Sequence, residues 1–414
     1  MMKYNIATLP NGLRIIHLAS ASPVVYCGYQ IAAGTRNERP GEEGLAHFCE
    51  HVTFKGTKRR TALQVINTLE KVGGELNAFT NKENTTFYAA IHRDHFRLAV
   101  DLLTDIVFNS QYPQEEIDKE VEVICDEIES YNDSPAELIF DEFENIIFEG
   151  HPLGHNILGQ AEQLRTYTTA DALRFTRSYY RPDNAVFFVY GDVAFKQVMR
   201  LVGEMSPMGE MGAMGAMGAM GAMGAMRTMG GVGSPIVRHK NTHQAHVMIG
   251  CRAYHADHPQ RIALYLLNNL LGGPGMNSRL NLSLRERHGL VYSVDSTMVS
   301  YSDTGLWAVY FGCDPHDVNK CRRLVRQQLD RVIEKPLPPS QLRAAKQQLK
   351  GQIAIACDNR ENFALDFGKS FLYHGQEKDL DQLFRKIDAV TAEAVQQVAQ
   401  ELFAPEHLTV LIYQ

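Results

Sequence analysis

The chain has 414 residues, of which 44% are hydrophobic and 21% are charged, and its formal net charge is −7. This profile is typical of a globular protein with two or three domains, and it excludes a wholly disordered chain. The negative charge argues against a nucleic-acid-binding protein. The sequence shows no signal peptide, no apolar run of 18 residues and no CxxC pair, so we predict a reduced, cytoplasmic protein that does not contact membranes.

The first chemically informative segment is the run from His47 to His51, which reads HFCEH. On a helix, residues four positions apart lie about 40° from alignment, so His47 and His51 can bind one metal ion. Glu50 precedes His51 on the same side. The order is HxxEH, the inverse of the HExxH zinc motif. Taken alone, the pattern leaves a second interpretation open, a polar helix face with two unrelated histidines.

A catalytic zinc ion takes three protein ligands and keeps one coordination position open, so a third ligand is expected elsewhere. The best region is a glutamate-rich helix predicted near residues 115–131. Glu120 and Glu127 are seven positions apart, which places them about 20° from one line along that helix. Glu127 can bind the metal, and Glu120 can orient a ligand histidine. The alternative is a solvated acidic helix face.

The two halves of the chain repeat one pattern. The segment TADAL at 169–173 returns as TAEAV at 391–395, 222 positions later. In each copy we expect the threonine, Thr169 or Thr391, to cap a helix, and a proline then precedes an apolar run that ends in tyrosine. Matching order and spacing indicate two copies of one fold. We predict an α+β protein with two homologous domains of about 200 residues, each a mostly antiparallel sheet packed with helices.

A low-complexity tract separates the two copies. Residues 208–226 read MGE once and then MGA five times before a final methionine. This composition is typical of a flexible linker, although spaced thioethers also suit a soft metal such as Cu(I). The predicted domains are therefore residues 1–202 and 236–414, joined by a linker over 203–235.

Together these motifs resemble peptidase family M16, the family of pitrilysin, insulin-degrading enzyme and mitochondrial processing peptidase. The resemblance extends over nearly the whole chain, apart from the Met-Gly-Ala tract. It rests on residues 44–51 with 54–57, the interval of 76 from His51 to Glu127, residues 73–74 with 77–80, and the segments 180–184, 278–280, 284–286 and 289–293. This resemblance implies a zinc metalloendopeptidase that hydrolyses peptides or unfolded segments.

The resemblance also assigns roles around the metal. It implies one Zn²⁺ per chain, bound by His47, His51 and Glu127. Glu120 would lie behind a ligand histidine, and Glu50 would be the general base that takes the proton of the attacking water.

Substrate-binding residues are implied in both halves. Asn77, Ala78 and Phe79 resemble an edge strand to which a peptide adds as a further strand. Arg285 and Tyr292 match a pair that binds substrate through a guanidinium and a phenol. Without the family resemblance, three alternatives remain open: Asn77 caps a turn, Arg285 forms an interface salt bridge, and Tyr292 lies in a core.

The family encloses its active site in a chamber built from four domains, and this chain supplies two. The resemblance thus implies half of a clamshell chamber and a homodimer in which Arg285 and Tyr292 of one copy complete the zinc site of the other. The alternatives are the catalytic subunit of a heterodimeric processing peptidase and a non-catalytic scaffold subunit. Residues 114–149 hold 14 acidic residues and one lysine. If this stretch lines the cavity, cationic peptides are favoured; otherwise it faces solvent.

Overall fold

The structure, a computed structural model, describes residues 3–207, 234–240 and 242–414. These residues form two compact units. The first unit contains the described residues of 1–130, 155–217 and 355–379, and the second those of 131–154, 218–354 and 380–414. Segments 131–154 and 355–379 thus each belong to the unit formed mainly by the other half of the sequence. Most of the predicted linker, at 208–233, lies outside the described residues.

The helices and strands are defined as follows. The strands are β1 (Tyr4–Thr8), β2 (Arg14–Ala19), β3 (Val24–Ile31), β4 (Glu75–Thr80), β5 (Thr85–His92), β6 (Ala185–Gly191), β7 (Ile236–Arg238), β8 (Ala245–Ala253), β9 (Val291–Ser300), β10 (Gly305–Cys313) and β11 (Thr409–Tyr413). The helices are α1 (Leu45–Thr53), α2 (Ala62–Glu70), α3 (Phe96–Asn109), α4 (Gln114–Asn132), α5 (Pro135–Ile147), α6 (Ala161–Leu164), α7 (Thr169–Tyr179), α8 (Phe195–Met205), α9 (Arg261–Gly272), α10 (Val318–Glu334), α11 (Pro339–Ala356), α12 (Arg360–His374), α13 (Leu380–Ala389) and α14 (Ala392–Leu402). No helix among them combines the length and apolar character needed to cross a membrane.

The first unit is built on a six-stranded sheet with the order β1-β2-β6-β3-β5-β4. All neighbouring strands are antiparallel except β2 and β6. The central strand β6 is buried on both faces, since successive side chains of a strand point to opposite sides. Phe187 and Val189 join the core that includes α1 and α3, whereas Val186 and Phe188 pack against α12. Strand β4 is left at the edge of this sheet.

The second unit contains a five-stranded sheet with the order β7-β11-β8-β10-β9. Its neighbouring strands are antiparallel except β7 and β11. Helix α5 packs on one face of this sheet, where Phe143 and Phe148 share a core with Met248 and Leu411. The order β11-β8-β10-β9 repeats the order β6-β3-β5-β4 of the first unit. The prediction of two copies of one mostly antiparallel α+β fold is therefore confirmed.

The repeated threonines differ in one detail from the prediction. In the second copy, Thr391 caps α14 and its side chain accepts a hydrogen bond from the main-chain N–H of Ala394 at 3.1 Å. In the first copy the cap of α7 is Thr168, whose N–H donates to Asp171 Oδ2 at 3.0 Å, and Thr169 is already helical. The predicted cap at Thr169 is therefore wrong by one residue. Two successive threonines offer the same capping group, and the sequence alone does not separate them.

Candidate metal centre and active site

Helix α1 carries the HxxEH motif. It begins after Gly44, which has a φ of 88°, and a Cβ at this position would lie 2.8 Å from the Cα of Gly159. Glycine alone tolerates both this backbone conformation and such a close approach. Phe48 and Val52 anchor the helix in the core of the first unit. The polar motif residues occupy the other side of the helix, facing β4 and α4.

Three side chains converge beside α1. One ligand atom each from His47, His51 and Glu127 lie within 4.8 Å of one another, and no other such group of three occurs among the described residues. Glu127 Oε2 is 3.4 Å from His51 Nε2 and 3.9 Å from His47 Nε2. In a tetrahedral zinc site with bonds of about 2.1 Å, ligand atoms are roughly 3.4 Å apart. Two imidazoles and one carboxylate at these distances fit a zinc ion.

Glu120 lies on α4, two turns before Glu127. Its Oε1 is 3.0 Å from His51 Nδ1, and its other oxygen pairs with the ammonium of Lys55. The hydrogen bond at Nδ1 directs Nε2 of His51 towards Glu127. This is the arrangement in which a carboxylate fixes the tautomer and the ring orientation of a ligand histidine.

The protonation states of the ligands follow from their surroundings. Burial lowers the pKa of His47 to about 4, so this imidazole is neutral, as a metal ligand must be. Burial also opposes charge on His51, but the hydrogen bonds to Glu120 and Glu127 outweigh it and raise its pKa to about 9. The hydrogen bond with His51 lowers the pKa of Glu127. A cation between these groups would take the place of the proton that His51 shares with Glu127.

Glu50 is buried next to the three converging side chains. Its Oε2 accepts a hydrogen bond from Thr80 Oγ1 at 2.7 Å. Burial raises the pKa of Glu50, and the hydrogen bond from Thr80 opposes this rise. A carboxylate whose pKa is raised is a better proton acceptor for a general base near neutral pH. Thr80 and Lys55 were not assigned a role from the sequence, although both lie within the motifs quoted above.

The segment Asn77–Phe79 lies in β4, as predicted. Within the described residues β4 pairs with β5 alone, with Asn77 opposite Tyr88 and Ala78 opposite Phe87. Its other edge therefore offers main-chain donors and acceptors to an added strand. Because Thr80 ends β4 and contacts Glu50, such a strand would pass beside the buried carboxylate. Asn77 belongs to the strand itself and does not cap a turn.

Arg285 and Tyr292 lie in the second unit. Arg285 is in a π-helical turn, Asn281–Glu286, Gly289 has a φ of 61°, and Tyr292 follows at the start of β9. The guanidinium carbon is 5.7 Å from the centre of the tyrosine ring. Tyr292 is 84% exposed, so it is not a core residue of the described chain. The structure brings this pair together, in a different compact unit from the three converging side chains.

The metal site belongs to the inverted zinc-motif class: two imidazoles from α1, a third ligand that is a carboxylate from α4, and a buried glutamate that precedes the second histidine. Residues 14–161 match the family model described as insulinase (peptidase family M16), and residues 227–349 match the one described as the peptidase M16 inactive domain. The chain belongs to peptidase family M16.

Individual relatives resemble the chain over nearly its full length. A protein named an uncharacterized zinc protease from Bacillus subtilis is 31% identical over 410 residues, which cover 98% of this chain and 97% of that protein. The beta subunit of the mitochondrial-processing peptidase of Bos taurus is 30% identical, and the match covers 95% of this chain and 80% of that subunit. A crystal structure of a protease from Helicobacter pylori has a TM-score of 0.90 at 22% identity and covers 100% of both chains.

Proposed function

We propose that the protein is a zinc-dependent endopeptidase that hydrolyses peptides or unfolded segments and binds one Zn²⁺ per chain. The observation that carries the proposal is the convergence of His47, His51 and Glu127 within 4.8 Å, beside the buried carboxylate of Glu50. Zinc bound there supplies Lewis acidity for the attack of water on a peptide carbonyl. All members of the predicted set are present, which argues against a non-catalytic scaffold.

The remaining chemistry falls to side chains and to the edge of the sheet. A peptide adds to β4 through main-chain hydrogen bonds and so lies extended beside Glu50. Glu50 accepts a proton from the attacking water and passes it to the leaving amine. Thr80 holds one oxygen of Glu50 by its hydrogen bond and leaves the other oxygen for this proton transfer. Arg285 and Tyr292 bind substrate carbonyl oxygens.

The proposed assembly is a homodimer that encloses the active site in a chamber. In this assembly each zinc site is completed by Arg285 and Tyr292 of the second copy, with two-fold symmetry. The likeness to the beta subunit of a mitochondrial-processing peptidase supports one other candidate, a catalytic subunit that requires a different partner chain. A purified single chain that cleaves peptides would exclude that requirement.

The test of the proposal is cleavage of fluorescence-quenched peptides by the purified protein. We expect hydrolysis that is lost on treatment with a chelator and restored by stoichiometric zinc. The two imidazoles and the carboxylate hold the ion by coordinate bonds, so a stronger chelator can remove it and added zinc can replace it. If the exposed acids of α4 line the cavity, lysine-containing peptides should be cleaved faster than otherwise matched glutamate-containing peptides. Stable folded proteins, which cannot add to β4 as a strand, serve as the control and should remain intact. Metal-independent cleavage, or no cleavage by the zinc-loaded protein, would contradict the proposal.

The dimeric arrangement is tested by mixing two inactive variants, Glu50→Gln and Arg285→Ala. A mixed dimer contains one site with both defects and one site with neither. If subunits exchange at random, half of the dimers are mixed, and roughly a quarter of wild-type activity should return by symmetry. Mixed dimers that are demonstrated by mass spectrometry but remain inactive would show that the pair does not act between chains.

A further inference from the structure

The two histidines of the zinc site are held in different ways. His51 Nδ1 donates a hydrogen bond to Glu120, which fixes the ring of His51. His47 Nδ1 is buried and has no hydrogen-bond partner among the described residues. A ligand histidine normally uses its second nitrogen for an orienting contact. The placement of the His47 ring therefore depends on its packing, which includes an edge contact with the ring of His51 at 4.6 Å between centroids, and on the backbone that carries it, which is the first turn of α1.

That first turn has no cap from its own sequence. The N-cap residue is Gly44, which offers no side chain, so the early N–H groups of α1 need partners from elsewhere. Glu38 supplies two of these partners. Its Oε2 accepts from the N–H of Gly44 at 3.1 Å, and its Oε1 accepts from the N–H of Ala46, the residue before His47, at 2.7 Å.

Glu38 is itself held firmly. Its side chain is 1% exposed, and Oε2 lies 2.8 Å from His155 Nε2. The main-chain carbonyl of His155 accepts a hydrogen bond from Lys82. Four residues later the backbone of Gly159 packs against Gly44, without room for a Cβ on either residue. The segment that orients Glu38 is thus also the segment that fixes the start of α1.

We propose that Glu38 is a positioning residue for the zinc ligand His47. The two hydrogen bonds of the Glu38 carboxylate fix the backbone position of the first turn of α1. The backbone then positions the His47 ring, which has no orienting hydrogen bond of its own. A carboxylate at a helix N-terminus is also favoured by the partial positive charge there. The inference rests on the proposed zinc site, and zinc binding by the wild-type protein tests that site separately.

The experiment compares Glu38→Gln with Glu42→Gln. Glu42 lies in the same loop, and its side chain contacts Arg174 and not the N–H groups of α1. Zinc affinity is measured by competition with a chelator, and the metal geometry by the visible spectrum of the cobalt(II)-loaded protein. We expect Glu38→Gln to weaken zinc binding by roughly 10–100-fold and to change the cobalt spectrum, as for an outer partner of a metal ligand. Glu42→Gln should match the wild type in both measurements.

Thermal unfolding of the metal-free variants separates positioning from general stability. A lower melting temperature for Glu38→Gln, with wild-type zinc affinity and an unchanged cobalt spectrum, would overturn the proposal. If Glu38→Gln does not fold, His155→Ala decides the question, because it removes one partner of Glu38 and leaves the contacts to α1. This variant should then show a smaller loss of zinc affinity in the same direction, and wild-type affinity would count against the proposal. Failure of the wild type to bind zinc would instead overturn the proposed function.

Discussion

Replacing Glu50 with glutamine is expected to abolish peptide hydrolysis while zinc binding and the fold are retained. The amide keeps the size of the side chain and can still accept the hydrogen bond from Thr80, but it cannot take the proton of the attacking water. General acid–base catalysis contributes roughly 10²–10⁴-fold to a rate, so kcat should fall by at least this order. The measurement is turnover of a quenched peptide by the variant at confirmed full metal occupancy.

Two controls sharpen this result. Glu70→Gln makes the same chemical change at an exposed position on α2 and should leave turnover unchanged. Zinc content is determined on the same samples as the activity, so that loss of metal is not mistaken for loss of the base. Near-wild-type turnover by zinc-loaded Glu50→Gln would remove Glu50 from the role of general base.

Glu127→Gln is expected to cause a larger loss of zinc affinity than Glu120→Gln. Glu127 Oε2 lies close to both imidazoles, and a neutral amide is a poor substitute for a carboxylate ligand. Glu120 contacts His51 Nδ1 from behind, so its replacement should lower affinity by roughly 10–100-fold. Competition with a chelator measures both losses. Glu129→Gln, an exposed change on the same helix, is the matched control, and the reverse order of the two losses would interchange the roles of Glu120 and Glu127.

The parts of the site that were predictable depend on local periodicity. The HxxEH spacing and the seven-residue interval between Glu120 and Glu127 define helix faces, and α1 and α4 both form as expected. The edge strand that contains Asn77 was predicted from the family resemblance. The alternation of polar and apolar residues over three positions is too short to identify a strand.

Other contacts were not predictable, because they join separate segments whose meeting depends on the whole fold. The hydrogen bond from Thr80 to Glu50 spans 30 positions, and the contact between His155 and Glu38 spans 117. Similarly, the apolar residues of α12 indicate a buried helix, but nothing in the sequence tells which sheet it covers. The periodicity of a segment shows which face of its helix or strand is apolar, whereas packing complementarity across the whole fold determines which element covers that face.

The open edge of β4 has a consequence for self-association. An unpaired strand edge can pair with the same edge of another molecule, and proteins usually limit this with short strands and charged residues. Strand β4 has six residues, and Glu75 at its start is exposed. Two copies that paired through β4 in parallel register would bring their Glu75 carboxylates together, whereas a guest chain without this charge meets no such repulsion. Because main-chain groups are the same in every sequence, this edge does not itself select among guest sequences, while the charge of Glu75 disfavours parallel pairing of two copies.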